Sequence, residues 1–274
     1  MIDEKRVLTR EEFLKKAGKF AAGAVVGGSL LGLVGCSKPA AEPPKNEPPA
    51  PAAPPELPAW PWPYKTLDVN AAAKGGYDGY MVSDCCYGAF HSLIAELRKE
   101  VGFPYDYMPT DMFRFGAGGV AGWSTLCGAL IGACAVIQLV VDEKDGAKVI
   151  NELMGWYTEA AFPVFKPEQP KKSDKEIVQS VSGSPLCHVS VTKWCEASGY
   201  KATSAERSER CGRLTADVTK KAAELLNDYH AGKFAVQYVA PASVTGCMSC
   251  HGKDGMDDTR GKMDCVQCHP TAHK

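Results

Sequence analysis

The sequence predicts a mainly α-helical chain: a cysteine- and glycine-rich helical domain followed by a short, loop-rich carboxyl-terminal segment. Three observations carry that expectation. Phe90, Leu93, Ile94, Leu97 and Val101 recur every three to four residues, the spacing of one buried helical face. Residues 116–141 form a run of 26 without a charge, yet Gly, Ala, Ser, Thr, Cys and Gln dilute its hydrophobicity and no basic stop-transfer flank follows. That run reads as a close-packed interior helix behind a glycine turn. Thr203, with Glu206 three residues on, has the capping-box pattern that opens a helix. The stripe Cys211, Leu214, Val218, Ala222, Leu225 and Tyr229 continues it, so Cys211 faces inward, and Gly232 stops it.

Composition limits what surrounds these helices. Lys and Arg total 31 against 32 Asp and Glu, a net charge of -1 in 274 residues, which argues against a nucleic-acid partner. Hydrophobic residues at 45% are enough for a folded core. The outlying number is twelve Cys, which fall into chemically different groups.

The first group is a single residue near the amino terminus. Residues 1–19 carry six basic and four acidic side chains, and residues 20–34 carry no charge, an n-region and h-region too short to span a bilayer comfortably. The stretch ends in Leu33-Val34-Gly35-Cys36, which resembles a bacterial lipobox. A lipoprotein-type signal peptide over 1–35 and a lipidated Cys36 are therefore expected, with the mature chain exported to the periplasmic side of a bacterial membrane and held there by its lipid. Thr9-Arg10-Glu11-Glu12-Phe13 is similar to a twin-arginine export motif, with Glu11 where the second Arg belongs. From 37 to 63, eleven of twenty-seven residues are Pro, so 36–63 is an extended spacer, and Trp60 and Trp62 mark where it first touches the domain of residues 64–235.

The second group lies at the other end. Cys247-Met248-Ser249-Cys250-His251 and Cys265-Val266-Gln267-Cys268-His269 are two C-x-x-C-H motifs within the last 28 residues. Two thiols at this spacing add to the vinyl groups of one haem, and the adjoining His reaches its iron. A zinc ribbon also uses paired C-x-x-C motifs, but a His directly after each pair, in an exported chain, favours haem c. Residues 236–274 are thus read as a dihaem segment with two covalent haems and His251 and His269 as proximal ligands. Gly252, Gly255 and Gly261 in the thirteen residues between the motifs turn the chain back and bring the haems together. Each iron also needs a sixth ligand; Met256 and Met263 in the loop are one source, but bis-His ligation is favoured because it leaves no open site, with His91, beside the apolar stripe, and His273 the first candidates and His188 in reserve.

Seven cysteines remain: Cys85, Cys86, Cys127, Cys134, Cys187, Cys195 and Cys211. An odd number fits a closed disulfide set poorly. Two readings stand, thiolates gathered round a metal and plain buried packing residues. Pro185 and Ser190 place Cys187 in a turn ahead of a helix that carries Cys195.

Cys85-Cys86, Gly116-Ala117-Gly118-Gly119, Cys127-Gly128-Ala129-Leu130, Cys187-His188-Val189-Ser190 with Trp194-Cys195, and Ser208-Glu209-Arg210-Cys211-Gly212-Arg213, followed by the two C-x-x-C-H motifs, resemble the split-Soret cytochromes c. The central portion is also similar to the wider group of redox proteins with a CG-C-A-x-x-G-C-C pattern. The resemblance implies a homodimer, two stacked haems per subunit with a His from the other subunit on one iron, and an iron–sulfur cluster. Carried over by position, the cluster ligands are Cys127, Cys187, Cys195 and Cys211, with Cys85 and Cys86 as substitutes. The expected function is single-electron transfer. The alternatives from other classes are a haem enzyme reducing a small molecule at an open iron site and a thiol redox sensor built on Cys85 and Cys86.

Overall fold

The computed structural model describes residues 55–271. The predicted signal peptide, Cys36, most of the spacer, and His273 lie outside the described residues.

The first helix, α1 (Val69–Glu100), is a hairpin. The Asp68 carboxylate caps it by accepting the Asn70 and Ala71 amides. At Ser83 (φ -158°, ψ 51°) and Asp84 (φ 61°, ψ -173°) the helical path breaks, and the second limb returns along the first. The limbs meet backbone to backbone. A Cβ on Gly88 would stand 2.6 Å from the Tyr80 nitrogen, and one on Gly79 would stand 2.8 Å from the Gly88 Cα, so only glycine permits this approach. One turn on, Ser92 Oγ donates to the Ala72 carbonyl at 2.7 Å. Cys85 and Cys86 open the returning limb and are both buried, and Phe90, Leu93, Ile94 and Leu97 follow as the buried stripe that their spacing predicts.

Two 3-10 turns, Tyr105–Tyr107 and Thr110–Gly116, lead into a loop in which Gly118, Gly119, Val120, Ala121, Gly122 and Ser124 all have positive φ. The uncharged stretch therefore divides into a left-handed loop and α2 (Gly128–Val140). Eight of the thirteen residues of α2 are buried, which accounts for its apolarity without a membrane. Among the described residues no helix is long and apolar enough to cross one.

Asp142 caps α3 (Glu143–Glu159) through the Lys144 and Asp145 amides. The strands β1 (Ala161–Phe162) and β2 (Ser180–Val181) pair antiparallel, Ala161 opposite Val181 and Phe162 opposite Ser180. The irregular chain between them is fastened by buried carboxylates of α5: Asp217 accepts the Val164 and Phe165 amides at 2.8 Å, and Glu209 accepts the Lys172 amide at 3.0 Å. Cys187 is the first residue of α4 (Cys187–Ser198), because Leu186 takes the extended cap conformation; the turn expected there ends one residue earlier. The cap of α5 (Ala205–His230) is Ser204 in place of Thr203, its Oγ accepting the Arg207 amide at 3.1 Å. Gly232, at φ 70°, follows the helix end as its sequence position predicts. Helices α1, α2, α3 and α5 enclose the core.

Both flanking segments are tied to this bundle. Trp60 Nε1 donates to the Gln138 carbonyl at 2.6 Å and the Trp62 amide to that of Leu139 at 2.8 Å, so the spacer docks at the end of α2 through the two tryptophans. On α3, the buried Glu152 carboxylate accepts the Gln237 and Tyr238 amides at 2.9 Å, and the Tyr238 ring lies on Gly155. Beyond this grip come α6 (Ala242–His251) and a 3-10 turn, Cys265–Gln267, with Lys262 Nζ reaching Asn151 and Gln267 Nε2 reaching the Gly183 carbonyl.

The glycine contact in the α1 hairpin predicts that Gly88→Ala will lower stability by about 1–3 kcal/mol, the usual cost of forcing volume into a filled space. Thermal or denaturant unfolding checks it; an unchanged midpoint would mean the limbs are free to part.

Candidate redox site

Four of the seven domain cysteines come together where the α1 reversal, the start of α2, the start of α4 and the first third of α5 meet. Cys85 follows the reversal at Asp84, Cys127 precedes the first turn of α2, Cys187 begins α4 and Cys211 lies on α5. Gly128 lies so close that a Cβ there would stand 2.6 Å from Cys85 Sγ. The left-handed loop closes over the group: the Cys187 amide donates to Thr125 at 2.6 Å, and Gly119 stands against the Cys187 side chain.

Cys85 and Cys127 face each other in the interior, and their interaction splits their acidities. The Cys85 thiol holds Cys127 well below the ordinary thiol range against the opposing effect of burial, with further help from Tyr157, the Ala129 amide and the charge of Arg210. Cys85 moves the opposite way, for the same contact and burial keep its proton on. Cys187 is pushed up to about 12, first by burial and then by the charges of Cys127 and Cys211.

The remaining three line no part of the cavity by this group, although Cys86 lies close enough to feel Cys127. Cys86 points toward Gly116 and Gly132, and burial pushes it up to about 12, as it does for Cys134 on α2. Both are packing residues by their surroundings. Cys195 is half-exposed on α4 and feels Cys211, Arg207 and Arg210 rather than Cys85 or Cys127. The structure thus gathers Cys127, Cys187 and Cys211 with Cys85, and sets Cys195 at the edge of the group.

A single ion would need its ligands at about 2.3 Å for sulfur. Among the described residues no three His, Cys, Asp or Glu side chains form a group that could hold a metal ion. Cys85, Cys187 and Cys211 instead line a cavity of about 300 Å³, with Tyr80, Asp84 and Arg207 at its wall. A sulfur-lined space of this size fits a multi-atom group better than one ion. Three polar residues that sequence reasoning passed over stand beneath it: Tyr157 donates to Ser190 Oγ at 3.1 Å, and Arg210 Nη2 donates to the same oxygen at 2.9 Å. Of the three only Arg210 left a signal, in the run Glu209-Arg210-Cys211-Gly212-Arg213, where charges interrupt the inward stripe of α5.

The two C-x-x-C-H motifs are neighbours. Cys247, Cys250 and His251 occupy the last turns of α6 at spacings that share one helical face. Cys265 opens the short 3-10 turn, Cys268 closes it, and the His269 amide donates to the Cys265 carbonyl at 2.8 Å. Ser243 Oγ, at the start of α6, donates to Asp264 beside Cys265 at 2.9 Å, and burial together with Cys247 raises the Cys265 thiol. Between this segment and α3 lies a cavity of about 510 Å³ whose walls include Leu126, Ile150, Met154, Tyr238 and Met263.

The other histidines lie elsewhere. His91 stacks on Tyr87 with centroids 4.8 Å apart, and its Nδ1 is 2.8 Å from Thr110 Oγ1, while the C-x-x-C-H segment is held by α3 and Gly183. His188 is exposed on α4 and His230 stacks on Tyr64.

A bundle of helices around buried cysteines defines the class first. Residues 86–225 match the family described as "Putative redox-active protein (C_GCAxxG_C_C)", about half of the chain, and the chain belongs to that family. It belongs equally to the split-Soret cytochromes c: it is 39% identical over 254 residues to split-Soret cytochrome c of Desulfovibrio desulfuricans, covering 90% of each chain. The fold agrees. A solved structure described as "A novel iron centre in the split-Soret cytochrome c from Desulfovibrio desulfuricans ATCC 27774" superposes with a TM-score of 0.72 at 39% identity, over 76% of this chain and 90% of that one. The chain is a redox protein of the cytochrome type, mainly helical as its sequence predicts.

The Glu152 grip on the carboxyl-terminal segment yields a prediction that needs no cofactor. Replacing Glu152 by Gln removes the charge from two hydrogen bonds, each worth about 1.5–3 kcal/mol when charged. Amide exchange at Gln237 and Tyr238 should accelerate about tenfold or more while α5 amides hold their rates; uniform acceleration throughout would mean Glu152 supports the whole bundle instead.

Proposed function

We propose that the protein is an exported dihaem c-type cytochrome that passes single electrons through two closely placed bis-His haems and a thiolate-bound iron–sulfur cluster. The observation that carries this reading is the packing of the two C-x-x-C-H motifs against each other on one short segment, with Ser243 Oγ donating to Asp264 at 2.9 Å between them. Cys247 and Cys250 hold one haem with His251 as proximal ligand; Cys265 and Cys268 hold the other with His269. Haem supplies reversible one-electron chemistry at iron. The chain's part is to fix both groups against α3, to line the neighbouring cavity with apolar side chains, and to exclude water from their faces.

For the cluster, the proposed ligands are Cys85, Cys127, Cys187 and Cys211. Burial and mutual contact support Cys85 over Cys195, which lies nearer the surface. In the relative from Desulfovibrio desulfuricans the solved structure is described as holding an iron centre, and the same fold surrounds the cysteines here. Thr110 engages Nδ1 of His91, which leaves Nε2 as the nitrogen that could reach an iron. Because His91 and the C-x-x-C-H segment rest on different elements, its iron is that of a second copy in a homodimer; His273 is proposed for the other sixth position. Lipidation at Cys36 and the proline-rich spacer tether the assembly on the periplasmic side of the membrane.

The double variant Cys247→Ala/Cys250→Ala should retain one covalent haem, measured by mass and haem absorbance, with Cys265 and Cys268 keeping the other. Unaltered haem content would overturn the attachment. Cys85→Ser should lower non-haem iron in anaerobically prepared protein more than Cys195→Ser does. The reverse order would return Cys195 to the ligand set.

A further inference from the structure

We infer that Arg210 is the fixed counter-charge of the cysteine site, a positioning residue that keeps its occupant anionic and sets its reduction potential. The inference rests on the iron–sulfur reading above.

Arg210 is 1% exposed. Its guanidinium carries five donors and keeps its charge at any ordinary pH. Nη2 donates to Ser190 Oγ at 2.9 Å, Nη1 lies 4.0 Å from Cys211 Sγ, and Nε has no hydrogen-bond partner. The acids nearby are already engaged. Glu209, the preceding residue, is bound by Tyr77, the Lys172 amide and Arg213 Nε at 2.8 Å. Asp217, two turns along α5, accepts the Val164 and Phe165 amides. Among the described residues Arg210 forms no ion pair with a carboxylate, although its neighbour Arg213 forms a buried one.

A buried cation without an anion costs several kcal/mol, more than one hydroxyl can offset. Asp217 feels this charge only at a distance, with its oxygens bound to the Val164 and Phe165 amides, and the nearer atoms that can balance it are sulfurs: Cys211 beside Nη1, and Cys127 across the Tyr157–Ser190 pair. Thiolates bound to iron supply that negative charge permanently, whereas protonated thiols do not. The orphaned Nε and the anionic donor set therefore answer each other. Adding an electron to such a centre raises its negative charge, and a cation held at fixed distance in a dry interior favours the reduced form. Arg207, at the cavity wall, is partly exposed and screened by water, so Arg210 carries the larger effect.

The test uses the full-length protein with its haems, prepared anaerobically. Arg210→Met should make reduction of the non-haem centre less favourable by about tenfold, which is about 59 mV for a one-electron couple. Arg210→Lys, which restores the charge, should recover most of that shift, and both haem potentials should stay where they are. A second measurement removes the non-haem iron with a chelator and follows thermal unfolding. Wild type should lose more stability on iron removal than Arg210→Met does, because only wild type is left with an unpaired buried charge. If Arg210→Met does not accumulate, Arg210→Gln, which keeps a donor for Ser190, is read the same way. Equal potentials and equal losses in wild type and variant, with iron present in both, overturn the counter-charge alone. Wild-type protein holding haem iron only overturns the iron–sulfur reading and this inference together.

Discussion

The backbone contact between Gly79 and Gly88 governs the arrangement of the domain. It allows the limbs of α1 to lie closer than any side chain would permit, so the chain reverses at the surface, at Ser83–Asp84, and re-enters the interior at Cys85. Cys85 then begins the returning limb beside Cys127. Asp84 sits at a positive φ with extended ψ, a region where non-glycine residues cost about 1–3 kcal/mol and persist only when surroundings enforce them. The strain falls one residue from the buried cysteine pair, a location at which local conformation and chemistry are commonly coupled.

Different physical demands made the two halves of the site unequally visible in the sequence. Covalent attachment of one haem requires two thiols and a ligand within a single short run, so Cys247, Cys250 and His251, and then Cys265, Cys268 and His269, can be read directly. The thiol site is assembled from four elements separated by loops, and spacing along the chain carries no record of that. Cys195 and Cys187 lie on one helix and look like natural partners, yet Cys195 is turned toward the edge while Cys85 arrives from the hairpin. The hairpin itself was hidden, because Val82-Ser83-Asp84 contains neither Gly nor Pro and reads as continuous helix.

The helices themselves were more legible. Period alone located the buried stripe on α1 and the long face of α5, and the glycine content of residues 116–127 announced a turn. Its left-handed run through Val120 and Ala121 was not foreseeable, since a β-branched residue rarely adopts positive φ without a tertiary reason. That reason is the site: the loop lines the cysteine cavity and receives the amide of Cys187. The association of Arg210, Ser190 and Tyr157 was not legible, because each sits on a different helix and only packing unites them.

Helix α3 touches both centres. Tyr157 stands beneath the cysteines, and Glu152 and Gly155 hold the segment that bears the C-x-x-C-H motifs. Five residues of α-helix rise about 7.5 Å, and a hydrogen-bonded rod does not stretch under thermal motion at this scale. The spacing of the two centres is thereby made a property of one secondary-structure element and not of a flexible linker. Transfer of an electron through protein weakens steeply with distance, so under the proposed function a rigid gauge of this kind would keep the rate between the two sites uniform from molecule to molecule.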